Sequence, residues 1–251
     1  MYAVMFAAFA VAQALLFLWL LRLWRTTRAS AAAVLLVPQF FLIWDNLRVA
    51  SGTLFGHGPL LYWLSWPAFW SHWLTGCWLI IASGSILRLA SPHVAGLGFA
   101  RQRRVMGAFC LVAAALMLYD LPYFWTRDIY PVCELGLIRY SGSVSEATRC
   151  FADQPLVANE FPLAPVVTCF VVIASGALLW VRDRFPWMTL GAVAMLLTAA
   201  LPALRAQKLD NFGEVLIVLG ATLAIARYAR ATPRDASPAP TDLRPRDPPP
   251  G

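Results

Sequence analysis

Several polar side chains that could take part in chemical reactions interrupt the apolar stretches of this sequence. In the segment from Gln39 to Arg88, a carboxylate, an amide and a guanidinium follow closely as Asp45, Asn46 and Arg48. Their neighbours are mainly Leu, Ile, Phe and Trp. Ionisable groups at membrane depth are costly, so they usually face a protected interior or mark a working site. These side chains are therefore the first candidates for chemistry.

Acid–base chemistry is the first role that these residue types suggest. A carboxylate such as Asp45 can act as a general base or proton acceptor, and the imidazole of His72 can be its acid/base partner. Asp120 and Glu214 are second choices for the same roles. The predicted catalytic residues are therefore Asp45, His72, Asp120 and Glu214.

A substrate with a polar head and an apolar chain would need two kinds of surroundings. Asn46 and Arg48 could orient the head, and Gln39 shares a helix face with Asn46 because it precedes it by seven residues. The tryptophan-rich stretch around His72 could wall a pocket for the chain. The predicted substrate-binding residues are Gln39, Trp44, Asn46, Arg48, Trp70 and Trp73.

Each of these residues also has a purely structural interpretation. Asp45 and Arg48 lie three residues apart on one helix, so they could simply neutralise each other. His72 could be packed among tryptophans with one nitrogen satisfied, and some tryptophans could anchor the chain at the membrane interface. The sequence leaves these alternatives open.

Metal and nucleotide chemistry are not indicated by the spacing of the candidate ligands. One histidine with Asp45, Asp120 and Glu214 could bind an ion, but no His-x-x-His, His-Glu-x-x-His or Cys-x-x-Cys spacing supports this. The sequence also has no nucleotide-binding loop, Gly-x-Ser-x-Gly elbow or kinase signature. We expect no metal site, and the sequence identifies no cofactor.

The composition indicates a membrane protein. Of the 251 residues, 60% are apolar and 13% are charged, and the mean hydropathy is +0.64. Soluble domains carry about 25% charged residues. The net charge of +7 does not indicate nucleic-acid binding, because the basic residues fall in short loops between apolar runs and in the tail. We expect the lipid bilayer as a partner, together with a lipid-like ligand, and no nucleic acid.

Seven apolar segments are long enough to cross the membrane as helices. About 20 helical residues span the hydrocarbon core, and no alternation typical of barrel strands is present. Residues 1–21 lack a basic leader and a small-residue cleavage site, so we expect a retained span there. The predicted fold is an all-α bundle of seven transmembrane helices, at approximately 2–21, 32–49, 60–87, 105–125, 161–181, 186–204 and 212–228.

The distribution of arginine predicts the orientation of these spans. Cytoplasmic loops are enriched in basic residues. We therefore expect the N-terminus outside, the C-terminus in the cytoplasm, and a location in the bacterial inner membrane. The residues that mark the cytoplasmic side are Arg22, Arg25, Arg28, Arg88, Arg101, Arg103, Arg104, Arg182, Arg184, Arg227 and Arg230.

The predicted domain organisation is a transmembrane domain at residues 1–230, with an external loop at 126–160, and a tail at 231–251. The loop contains Cys133 and Cys150, and two thiols on an oxidising face favour a structural disulfide over free thiols or a redox pair. The tail has seven prolines in 21 residues, so we expect it to be disordered in the cytoplasm.

The predicted topology brings four titratable groups, one from each of four helices, to a similar depth in the outer part of the bilayer. The pairs Asp45-Asn46 and Asp210-Asn211 also fall on that side. The first hypothesis is a polar site in the outer half of the bilayer that binds, and could modify, a lipid-like substrate. The alternatives are a small proton- or cation-coupled transporter and a membrane scaffold without a catalytic site. Substrate, reaction and oligomeric state are not encoded in any feature we recognise.

Overall fold

The computed structural model of this chain describes residues 1–92, 99–159 and 161–231. For residues 71–75, 99–102, 123–125 and 231 it describes the backbone only, so nearly all of the predicted tail lies outside the described residues. These described residues are mostly helical, at 76%. Its elements are α1 (Tyr2–Thr27), α2 (Ser30–Phe55), α3 (Pro59–Ala90), α4 (Phe99–Thr126), β1 (Tyr130–Glu134), β2 (Leu137–Ser141), α5 (Leu163–Asp183), α6 (Trp187–Ala200), α7 (Pro202–Ala206) and α8 (Asp210–Ala231).

Five helices are long and apolar enough to cross a membrane, which agrees with a helical membrane protein. They are Tyr2–Thr27, Ser30–Phe55, Arg103–Pro122, Leu163–Asp183 and Asp210–Arg230. Two shorter apolar helical stretches, Gly76–Ala90 and Trp187–Ala200, overlap the third and sixth segments of the sequence prediction. Apolar helices therefore dominate the architecture.

The sixth helix is shorter than its hydropathy suggests. The sequence predicted one helix over 186–204, whereas α6 ends at Ala200 and the short α7 begins at Pro202. Leu201 between them is extended, with φ −80° and ψ 118°. A residue before proline avoids the helical region because it would clash with the proline ring. The helix therefore breaks for a local steric reason, which a hydropathy pattern does not show.

A β-hairpin stands apart from the otherwise helical fold, and an all-α prediction missed it. Strands β1 and β2 are antiparallel, with Cys133 opposite Ile138. The two residues between them, Leu135 and Gly136, both have positive φ, of 54° and 74°. That combination is typical of the tight two-residue turn whose twist matches a hairpin.

Small residues allow the helices to pack closely in the main core. Among its buried members, Leu20 comes from α1, Leu35 from α2 and Met188 from α6. A Cβ added at Gly191 would overlap the Leu216 carbonyl of α8. Membrane helices gain little from burying apolar surface against each other, so close backbone approach is a main source of their stability.

The hairpin is seated on one end of the bundle, which we call the hairpin end. Leu137 of β2 is 2% exposed and packs against Phe6 of α1 and Val49 of α2. Gly52 of α2 lies under the backbone of Ile138, and a Cβ there would overlap the Ile138 carbonyl oxygen. The fit between hairpin and bundle therefore requires glycine at residue 52.

We predict that Gly52→Ala lowers the free energy of unfolding by about 1–3 kcal/mol, because the added methyl group pushes the hairpin backbone away from α2. Gly107→Ala is the matched control, since a Cβ at Gly107 meets nothing within 4 Å. Thermal unfolding of the detergent-purified variants measures both. Equal melting temperatures for the two variants would contradict the close approach at Gly52.

Candidate functional site

A polar cavity of about 280 Å³ lies at the hairpin end, between the hairpin and the helices beneath it. Its walls come from α1, α2, α3, the loop that carries the hairpin, and the start of α8. The side chains include four cationic and three acidic ones. The lining residues are Phe6, Asp45, Arg48, Val49, Ser65, Ala68, Phe69, Arg127, Leu137, Arg139, Tyr140, Ser141, Gly142, Ser143, Asn159, Lys208, Asp210, Asn211 and Glu214.

The guanidinium of Arg48 organises the floor of this polar cavity. Its Nη2 donates to Asp45 Oδ1 at 2.6 Å, and both residues are buried, at 9% and 7% exposure. Its Nη1 donates to Ser65 Oγ on α3 and to the Tyr140 carbonyl on β2, each at 3.2 Å. Arg48 therefore links two helices and the hairpin, and Asp45 neutralises its charge at an i,i+3 spacing.

The start of α8 supplies a second polar wall. Asp210 and Glu214 are four residues apart, so they share one helix face with Asn211 beside them. Asn211 Nδ2 donates to Asn46 Oδ1 at 3.4 Å, although 165 positions separate the two residues. The two Asp-Asn pairs therefore come together: Asp45, Asp210 and Asn211 line the cavity, and Asn46 is bonded to Asn211 behind it.

Glu134 joins the hairpin to the segment before α8. Its Oε1 lies 2.8 Å from Arg139 Nη2 and 2.7 Å from Lys208 Nζ. Burial raises the pKa of Glu134, but the charges and hydrogen bonds of Arg139 and Lys208 outweigh it and hold the pKa below its ordinary value. The carboxylate is therefore charged at neutral pH, and its contribution to stability is lost only as pH falls through that lowered pKa.

A second cavity, of about 90 Å³, lies between five helices and is mainly apolar. Its lining residues are Pro38, Phe41, Leu42, Gly76, Leu79, Pro165, Thr168, Cys169, Met195, Glu214 and Ile217. Glu214 is the residue that the two lining sets share. A carboxyl group therefore stands where a polar compartment meets an apolar one.

Three of the predicted site residues come together at the polar cavity: Asp45, Arg48 and Glu214. Asn46 lies behind them, fully buried, where its Nδ2 donates to the Leu42 carbonyl at 2.8 Å. Asp120 is buried on α4 near the Cys77 thiol of α3, and it lines neither cavity. The side chain of His72 lies outside the described residues.

Three other predicted binding residues, Gln39, Trp44 and Trp70, line neither cavity. Gln39 Nε2 donates to the side-chain and backbone oxygens of Gln13 on α1, at 2.6 and 2.7 Å. Trp44 Nε1 donates to the Leu64 carbonyl at 3.0 Å, and Trp70 contacts Trp66. The side chain of Trp73 is not among those described. These described contacts are helix-to-helix or within one helix, and the apolar cavity is lined instead by residues such as Phe41 and Leu79.

Sequence reasoning did not select several residues that line the polar cavity. Arg127, Arg139 and Lys208 were not among the predicted site residues, yet all three line it. The one available signal was the repeated Asp-Asn pair, which pointed to Asp210 and Asn211 but not to their partners. Hairpin residues could not be assigned from hydropathy, because the hairpin is short and mixed in polarity.

The structure contains a disulfide between Cys133 and Cys150, with Cα atoms 5.0 Å apart. It ties strand β1 to the second half of the loop at 126–160. Comparison with protein-family models finds no match, and comparison with curated proteins finds none either. The function has to be argued from the chemistry of the site itself.

We predict that Asp45 and Arg48 are strongly coupled. Removing one partner of a buried pair leaves an uncompensated charge, so Asp45→Asn and Arg48→Gln should each lower the free energy of unfolding by about 3–5 kcal/mol. The double variant should lose about 0.5–3 kcal/mol less than the sum of the two. Denaturant or thermal unfolding in detergent measures all three.

The exposed pair Glu146 and Arg149 has the same i,i+3 spacing and provides the matched control. Replacing these two by glutamine, singly and together, should change stability by less than about 1 kcal/mol, because exposed pairs are screened by water. If the Asp45 and Arg48 losses add without coupling, the pair does not hold the cavity floor.

Proposed function

We propose that this chain is a seven-span membrane protein that binds an amphipathic, lipid-like molecule from the outer side of the membrane. The observation that carries the proposal is the position of Glu214, which lines both the polar and the apolar cavity. Ligand sites are typically apolar cavities with a few convergent polar groups. A polar head would occupy the larger cavity and the adjoining apolar group the smaller one.

The proposed orientation places the hairpin end outside. Lys208, Glu134 and the disulfide belong to that end, whereas the arginines between residues 22 and 28 and between 182 and 184 lie at the far ends of α1 and α5. Basic loops are retained in the cytoplasm, which supports an outside N-terminus. Seven crossings then require α3 and the α6–α7 segment to span the membrane with the five long helices.

The volumes of the cavities limit what can bind. A dry cavity of about 150 Å³ can hold benzene. The apolar cavity has about 90 Å³, so it encloses only the first few carbon atoms of an apolar chain. The polar cavity of about 280 Å³ accommodates a larger head. The proposed ligand is therefore an amphiphile whose head is bulkier than the part of its tail that the protein encloses.

Glu214 is the best-placed group for acid–base chemistry on such a ligand. Asp45 already accepts a bond from Arg48, and its role is to neutralise that guanidinium. Glu214 stands at the junction where the head and the apolar group of the ligand would meet. We propose Glu214 as the contacting carboxyl group, with Asp45 and Arg48 positioning the walls around it.

We favour one-sided binding over a carrier. A carrier needs polar groups along the whole path across the membrane. In the described residues, the core around Leu20, Leu179 and Ile225 toward the opposite end is packed with apolar side chains. The polar cavity and Glu214 are confined to the hairpin end, which supports access from that side alone.

We predict that a reporter active only in the cytoplasm gives signal when fused after Arg230 and none when inserted near Ser143. The physical reason is the arginine asymmetry between the two ends of the bundle. Reporters with the opposite compartment requirement should give the reverse pattern. Signal at Ser143 would reverse the proposed orientation.

We predict that the purified protein retains an amphiphile that organic extraction and mass spectrometry detect. A Cβ at Gly76 meets nothing within 4 Å, so Gly76→Leu should fill the apolar cavity without disturbing the fold. It should reduce the retained amphiphile at least about tenfold, which corresponds to about 1.4 kcal/mol. Glu214→Gln should also reduce retention, because the carboxyl group contacts the ligand.

Gly107→Leu is the matched control, since Gly107 also has open space around its Cβ but lines neither cavity. This variant should retain the amphiphile at the level of the unchanged protein. Equal retention in Gly76→Leu and Gly107→Leu would show that the lipid is an annular one. No enrichment of any amphiphile would defeat the proposed function.

A further inference from the structure

A histidine lies against the disulfide on the surface of the hairpin end. His57 is in the short turn between α2 and α3, and its Nε2 is 3.6 Å from Cys133 Sγ. The ligand atoms of His57, Cys133 and Cys150 all lie within 4.8 Å of one another. The imidazole therefore contacts a sulfur atom that would become a thiolate if the disulfide were opened.

This site is accessible to solvent. His57 is exposed, both cysteines are half-buried, and the ring of Phe151, 5.2 Å from the imidazole, is 48% exposed. A structural disulfide resists thiol exchange better when it is buried. Exchange requires an attacking thiolate to reach one of the two sulfur atoms along the axis of the bond. A half-buried disulfide at the surface beside an imidazole meets the two requirements of exchange, which are access and a proton donor.

Noncovalent contacts hold the same loop in place without the disulfide. The Cys133 N–H donates to the Thr148 carbonyl at 2.8 Å. Gln154 accepts from the Cys150 N–H at 3.1 Å and donates through Nε2 to the Pro131 carbonyl at 2.7 Å. These bonds keep the two cysteines adjacent after the S–S bond opens, so closure again would be fast and exchange reversible.

We propose that Cys133–Cys150 is a thiol-exchange site in which His57 acts as the proton donor, and that its substrates are low-molecular-weight thiols. The attacking thiolate forms a bond to Cys150 Sγ, and the S–S bond breaks with its electron pair on Cys133 Sγ. His57 Nε2–H donates its proton to that sulfur, and the imidazole afterwards regains a proton from solvent. Exchange is faster when the leaving sulfur is better stabilised, so the position of His57 selects Cys133 as the leaving group.

A second thiol completes the reaction. Its thiolate attacks the small-molecule sulfur of the mixed disulfide and releases the symmetrical disulfide, while Cys150 leaves as a thiolate and takes up a proton. The balance is two small thiols oxidised and one protein disulfide reduced. The intermediate carries the small thiol on Cys150 and a free thiol at Cys133. Its formation distinguishes an exchange site from a purely structural disulfide.

The test incubates the full-length, detergent-purified protein with glutathione, traps free thiols with N-ethylmaleimide, and maps both adducts by peptide mass spectrometry. We expect glutathione on Cys150 and maleimide on Cys133. In His57→Ala the exchange should be at least about tenfold slower, because general acid catalysis is lost, and the preference for Cys150 should disappear. Phe151→Leu keeps the imidazole and changes only its packing, so it should exchange like the unchanged protein.

Three outcomes would overturn the proposal. The first is a disulfide that does not react with glutathione in the folded protein but does react after denaturation, as expected of a purely structural disulfide. The second is glutathione divided equally between the two cysteines in the unchanged protein. The third is an equal loss of rate in His57→Ala and Phe151→Leu, which would assign the effect to packing. The map of adducts on the unchanged protein tests the proposal even where a variant fails to fold.

Discussion

The buried guanidinium of Arg48 is the constraint on which the hairpin end depends. It donates hydrogen bonds to Asp45 on its own helix, to Ser65 on α3 and to the Tyr140 carbonyl on β2, so one side chain fixes three elements relative to one another. A charge in such surroundings is tolerated only with a counter-charge close by. Asp45 supplies the counter-charge, and the Tyr140 carbonyl makes the hairpin part of the same arrangement.

The polar cavity follows from that constraint. Because Arg48 draws β2 toward α2 and α3, the hairpin covers the polar side chains at the helix ends. Gly52 allows the backbones to meet, and Glu134 bonds to Lys208 so that the same cover also reaches the start of α8. The cavity is therefore bounded by electrostatic links around its rim, by close backbone contact on one side, and by the apolar contact of Leu137 with Phe6 and Val49.

The apolar cavity has a different origin. Pro38, Gly76 and Pro165 line it, and each has too small or too rigid a side chain to fill the space between five helices. Packing defects of this kind reduce stability, because the lining atoms lose contact partners. We interpret the retained space as the compartment for a ligand group, which depends on the proposed function. Its contact with Glu214 joins it to the polar cavity above.

Hydropathy and composition were sufficient to predict a helical membrane protein, and an i,i+3 spacing was sufficient to predict that Asp45 and Arg48 can pair. Both depend on short-range features of the chain. Three features depend instead on how each helix is rotated against its neighbours. They are the pairing of Asn46 with Asn211, the place of Glu214 between two cavities, and the absence of Trp44 and Trp70 from the cavity walls.

That rotation is set by packing between residues far apart in sequence, such as Leu137 with Phe6 and Gly191 with Leu216. A pattern read along one segment contains no information about it, because an apolar membrane helix is apolar on every face. The sequence by itself therefore determined the class of protein and the candidate side chains. Only the tertiary structure decided which of them share a site.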